Sequence, residues 1–304
     1  MNYRKYKFFF LIFIICIISL NTSEIRIVLR IDNNIITNID LENEIKYLKI
    51  QNPKIKELNK DDLKELSKNS LIKQIIKKGE TDKYFTIKKN LSFGEKLVEQ
   101  NYLNKGFQNM SEFKIYLKSQ NLRYEIYKEK LMIDKLWNTL IYEKFKNKVK
   151  IDEKKIRKSI EEYRDKEKIN KEYLLSEILF DFDTDLKILQ NFIEKYGFEA
   201  AATKYSISET SLNNGKIGWV KINNITNEIR SIIDKLSKGE ISKPLKVSNG
   251  NLLIKVNDIR KLKNNFNLDE EVKKQINFKQ NRQLSNLSLN FYKKLKQNRI
   301  IYEY

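Results

Sequence analysis

Histidine is absent from all 304 residues. That removes the commonest general base, the commonest zinc ligand and the ordinary switch near neutral pH at once. Ser-His-Asp and Cys-His catalysis are excluded, as are histidine-based metal sites. The single cysteine, Cys16, lies in an N-terminal apolar run, so the rest of the chain holds no disulfide framework. The only Gly-Lys pair, Gly215-Lys216, lacks the rest of a phosphate-binding loop. No cofactor and no metal are implied. Carboxylates, hydroxyls and many aliphatic and aromatic side chains remain.

The formal net charge is +20, and hydrophobic residues make up 40% of the chain, enough for a real core. Nucleic-acid binding is one reading of such a charge. Here bases are spread along the chain and interleaved with acids, with no compact Arg-rich arm. A solvated, Lys-rich surface is the better reading, with neither nucleic acid nor nucleotide as a partner.

Residues 1–23 read as an export signal. Arg4, Lys5 and Lys7 form a positive start, and Phe8 to Leu20 is an apolar run of 13 residues. As helix that run spans roughly 20 Å, short of the ~30 Å hydrocarbon core. A cleaved signal is favoured. A retained anchor is the alternative, since Tyr6 extends the run and no Ala-x-Ala site is present.

The pattern beyond it must position whatever chemistry exists. Residues 24–31 read as a strand and Asp32-Asn33-Asn34 as a turn. A helix is expected from Asn38 to Ile50 with Asn38 as its cap, then another over 60–78. Shorter helices follow near 92–104 and 111–119, the latter capped by Ser111. A long helix is expected over 122–149, where Leu122, Ile126, Ile133, Leu136, Trp137, Leu140 and Ile141 recur at three- and four-residue steps. Near 170 the pattern changes to a β-α-β-β order. A strand over 172–180 is followed by helices over 184–205, a short strand ending near 220, and a short helix over 229–237. The hairpin at 239–261 turns at Asn249-Gly250. Residues 268–297 return to helix, with Leu284, Leu287, Phe291 and Leu295 on one face. The terminal RIIYEY alternates like a strand, and pairing it with 25–31 would satisfy its edges.

Three stretches of 171–262 resemble the parvulin-type prolyl isomerases: LLSEILF (174–180), YSISETSLNNGKIGWV (205–220) and KGEISKPLKVSNGNLLIKVNDIR (238–260). Residues 27–43, IVLRIDNNIITNIDLEN, resemble the start of SurA-type periplasmic chaperones. The resemblance implies an α+β fold. A helical core (24–170) is completed by a C-terminal helix and strand (263–304), with a parvulin-like domain (171–262) inserted. An insertion with adjacent ends is expected to be removable at modest loop-closure cost. Removing 284–304 is not.

The same resemblance implies where a site would lie. The first catalytic histidine of active parvulins falls on Glu177 and the second on Leu252. The position that is Cys or Asp in many members falls on Ser208. The proline pocket falls on Ile217, Ile225 and Ile229, with Trp219 beside it. Glu177 reads as a partly exposed strand residue, a buried acid being the alternative. The implied function is an ATP-independent periplasmic chaperone for unfolded outer-membrane proteins, its isomerase activity weak or lost. The alternative is an active isomerase.

Overall fold

The computed structural model describes residues 24–85, 91–164, 171–221, 225–261 and 267–304. The expected export segment lies outside them. The chain runs β1 (Ile27–Ile31), β2 (Asn34–Thr37), α1 (Asn38–Gln51), α2 (Lys60–Thr81), α3 (Leu91–Asn104), α4 (Met110–Ser119), α5 (Tyr124–Phe145) and α6 (Glu153–Arg164). It continues through β3 (Lys171–Phe180), α7 (Leu186–Tyr196), α8 (Phe198–Tyr205), β4 (Lys216–Lys221), α9 (Asn227–Ile233), β5 (Leu245–Val247) and β6 (Gly250–Lys261). The long α10 (Leu268–Gln297) and β7 (Ile301–Glu303) close it. The fold is α+β.

Both ends of the described chain build one sheet, ordered β2-β1-β7. Ile31 lies opposite Ile301 and Leu29 opposite Glu303. Asp32 fastens the junction, accepting from Arg299 Nη1 at 2.8 Å and from the Ile300 N–H at 3.1 Å. One face of this sheet is buried. Leu29, Ile31 and Ile36 pack with Leu71, Ile72 and Ile76 of α2.

Two caps differ from expectation. Thr37, not Asn38, caps α1: its side chain accepts from the Asp40 N–H, and the Asp40 carboxylate accepts from the Thr37 N–H. This reciprocal pair satisfies two donors at once, more than Asn38 one residue later achieves. Asn109, not Ser111, caps α4, accepting from the Glu112 N–H at 2.9 Å. The expected 122–149 helix is α5 alone, ending at Phe145 and followed by one 3-10 turn. Beyond that turn α6 is a helix the periodicity did not disclose. Its apolar content is sparse, but Ile156 and Ile160, four residues apart, bury against Val272 of α10.

The second sheet is ordered β4-β3-β6-β5. Lys171 and Lys261 are partners across β3 and β6, so this region enters and leaves at one point. It is nonetheless not a free appendage. Ile178, Phe180 and Leu253 on one face share a buried cluster with Tyr47, Ile55 and Leu66 of the helical part. Across the same seam Asn52 Nδ2 donates to Thr203 Oγ1 at 3.0 Å, and Lys204 pairs with Asp62. The expectation that 171–262 can be removed cheaply is therefore corrected. Loop closure costs only about 0.6 kcal/mol per doubling of linker length, but each buried side chain uncovered costs about 1.5–3 kcal/mol. A variant with 171–262 replaced by a short linker is expected to show no cooperative thermal melt by circular dichroism. A melt within a few degrees of the intact chain would contradict this packing.

Candidate peptide-binding cleft

β3 reads KEYLLSEILF, with no alternation of polarity, because both its faces are covered. Ser176 and Glu177 are adjacent, point to opposite faces and are both buried. Glu177 shares its face with Leu175 and Leu179. On β6, beside it, Leu252, Ile254 and Val256 belong to the same buried cluster.

Two glycines set this geometry. Gly215 adopts φ +75°, and a Cβ there would lie 2.5 Å from the Glu177 carbonyl oxygen. Its own carbonyl accepts from the Glu177 N–H at 2.8 Å. At Gly250 a Cβ would lie 2.2 Å from the Phe180 carbonyl oxygen. Any side chain at either place would push β3 away from its neighbours.

Glu177 is 1% exposed, so its reading as a partly exposed strand residue is corrected. A carboxylate is tolerated there because every oxygen is engaged. Oε1 accepts from Ser208 Oγ at 2.9 Å and from Thr210 Oγ1 at 3.1 Å. Oε2 accepts from Arg282 Nη1 at 2.7 Å. Arg282 comes from α10, outside the second sheet.

Beside this group lies a cleft of about 540 Å³. Glu177, Ile217, Ile225, Ile229 and Leu252 all line it, with Leu175, Val220 and Ile254. Ser208 contributes by holding Glu177. Trp219 lies elsewhere, 38% exposed and stacked on the Arg260 guanidinium at 4.1 Å. Arg260 is itself held by Glu172 at 2.6 Å. The facing wall was not foreseen: Phe278 and Arg282 of α10. The available signal was their four-residue spacing, which sets both on one helix face, shared with Leu289 and nearly opposite the Leu284–Leu295 stripe.

The cleft thus offers aliphatic side chains around one neutralised carboxylate–guanidinium pair. Among the described residues no cluster of three or more metal-ligating side chains occurs. Prolyl isomerisation needs no covalent step, only tighter binding of a twisted amide than of a planar one across a barrier of ~18–20 kcal/mol. In this cleft the donor nearest Glu177 is a guanidinium, not an imidazole.

The Rotamase family model, described as the PPIC-type PPIASE domain, matches residues 185–258. That stretch is a parvulin-type domain. The match begins after β3, so Glu177 stands outside it. The chain is also similar to a chaperone SurA of Buchnera aphidicola, 34% identical over 80 residues. That match spans 26% of this chain and 18% of that protein. Among solved structures, one reported for two structurally related SurA-like chaperones of Campylobacter jejuni is 19% identical, covering 91% of this chain and 98% of that one with TM-score 0.36. The peptidylprolyl isomerase PrsA of Bacillus anthracis is 23% identical, covering 75% and 94%, with TM-score 0.33.

Proposed function

We propose that this protein is an exported, ATP-independent folding helper. It holds unfolded outer-membrane proteins, and its parvulin-type domain isomerises proline weakly or not at all. One observation carries the reading of the domain. The position expected for a catalytic histidine is a buried glutamate whose oxygens are all committed to Ser208, Thr210 and Arg282. The apolar cleft beside it is nevertheless open, so binding outlasts the loss of the polar network. The partial match to a SurA chaperone supports the holding role, and the positive and apolar start of the chain supports export. Among the described residues no helix is long and apolar enough to cross a membrane.

The purified chain lacking residues 1–23 is expected to suppress aggregation of a urea-unfolded β-barrel protein at a few-fold excess, without nucleotide. No suppression by light scattering would sink the reading. In an NMR exchange assay on a proline peptide, rates near the uncatalysed ones are expected. An active isomerase is the second reading, favoured by the intact aliphatic cleft and by Arg282 as an N–H donor beside it. A rate enhancement of a hundredfold or more would establish it.

A further inference from the structure

The two walls of the cleft come from different parts of the chain. Leu175, Ile217 and Leu252 belong to the second sheet and Ile229 to α9, whereas Phe278 and Arg282 belong to α10. α10 does not plug the cleft, since about 540 Å³ stays open between them, within the ordinary range of about 300–1,000 Å³ for ligand sites. Nor is α10 loosely placed. Further along it, Leu289 is buried in the same cluster as Leu175 and Leu252. One residue earlier, Ser288 Oγ donates to Glu209 at 2.9 Å and accepts from Trp137 Nε1 at 2.9 Å.

We propose that these walls form one composite slot for a short, apolar, proline-bearing polypeptide segment with an acidic neighbour. This rests on the reading above that the cleft takes polypeptide. Phe278 supplies the apolar wall opposite the aliphatic floor. Arg282 keeps the slot fit for an apolar guest by neutralising Glu177, because an unpaired carboxylate there would repel one. The acidic neighbour follows from the rim, where Lys155, Lys279 and Arg230 stand with Arg282 against Glu177 and Glu228. The parvulin-type domain alone is therefore half of its own binding site.

The test uses the chain lacking residues 1–23 and a fluorescein-labelled Glu-Leu-Pro-Phe peptide. Affinity is read by anisotropy. Phe278→Trp serves as a reporter in the slot, since Trp137 is buried in another cluster and Trp219 lies outside the cleft. The peptide is expected to shift the Phe278→Trp emission saturably, with the same midpoint as the anisotropy. Phe278→Ala and Arg282→Gln are each expected to weaken binding tenfold or more. Adding Glu177→Gln to Arg282→Gln should recover most of it, because the slot is neutral again. A Lys-Leu-Pro-Phe peptide should bind more weakly, by a margin that shrinks with salt. The proposal fails if the reporter emission stays constant while anisotropy saturates. It fails too if both single variants melt normally and bind like the parent. If no peptide binds yet aggregation is still suppressed, the slot is overturned and the chaperone reading stands. Loss of both overturns both.

Discussion

Deleting residues 284–304 is expected to leave a chain that does not fold. The segment contains the second half of α10 and all of β7. Leu284, Leu287, Phe291 and Leu295 pack against Trp137, Leu140, Ile141 and Phe145 of α5. The Phe291 ring stacks on Trp137 with centroids 5.6 Å apart. Leu289 reaches into the second sheet's cluster instead, so one helix segment seals two cores. Losing β7 also strips Leu29, Arg30 and Ile31 of their pairing partners on that edge of β1. Each fully buried side chain is worth about 1.5–3 kcal/mol. A handful lost together rivals a total stability of about 5–15 kcal/mol. Trp137, fully buried in the intact chain, reports the outcome directly. The truncated chain should emit at the wavelength of solvent-exposed tryptophan and show no cooperative melt. A cooperative melt with blue-shifted emission would mean that α10 is dispensable to the core.

Replacing Lys77 with methionine is expected to cost about 3–5 kcal/mol, the usual penalty for leaving a buried charge unpaired. Lys77 is 1% exposed, with Nζ 3.0 Å from Asp134 and 3.5 Å from Glu209. The partners lie on α5 and on the loop after α8, so this ammonium joins three segments. Burial by itself would raise the Glu209 pKa, but Lys77 and Lys73 outweigh it and bring the group from 4.5 to about 2. Burial would likewise lower the Lys77 pKa, yet Asp134 and Glu209 raise it from 10.5 to about 12. The depressed Glu209 therefore stabilises the fold fully above pH 4.5, and that contribution fades as pH falls toward about 2. The raised Lys77 stabilises fully below pH 10.5, and its contribution is lost as pH climbs through about 12. In the methionine variant Glu209 gains by protonation instead. The difference in melting temperature between parent and variant should be widest near neutral pH and narrow on acidification below 4.5. A difference that is small, or constant with pH, would show that the three groups are not coupled.

Much of the architecture was legible in the chain, where local rules decide it. The helices α2, α5 and α10 follow from apolar residues at three- and four-residue steps. The β5–β6 hairpin follows from Asn249-Gly250, and the closing strand from the alternation in RIIYEY. Cap positions were missed by one or two residues. Thr37-Asn38 and Asn109-Met110-Ser111 each offer two competent caps, and only the backbone path chooses between them. α6 was missed because its apolar face is two isoleucines wide and exists to meet Val272, more than a hundred residues away in sequence. The same kind of distance separates the two halves of the cleft. The parvulin resemblance implies that Glu177 stands where a histidine is expected, with Ile217, Ile225 and Ile229 as neighbours. It does not say that Glu177 is buried, since β3 lacks the alternation that tells one face from the other. Burial of a carboxylate depends on its partner, and that partner, Arg282, lies 105 residues further on. Packing α10 across the second sheet brings the two within 2.7 Å. Only that tertiary contact decides that the buried carboxylate is neutralised and that the cleft is walled on both sides.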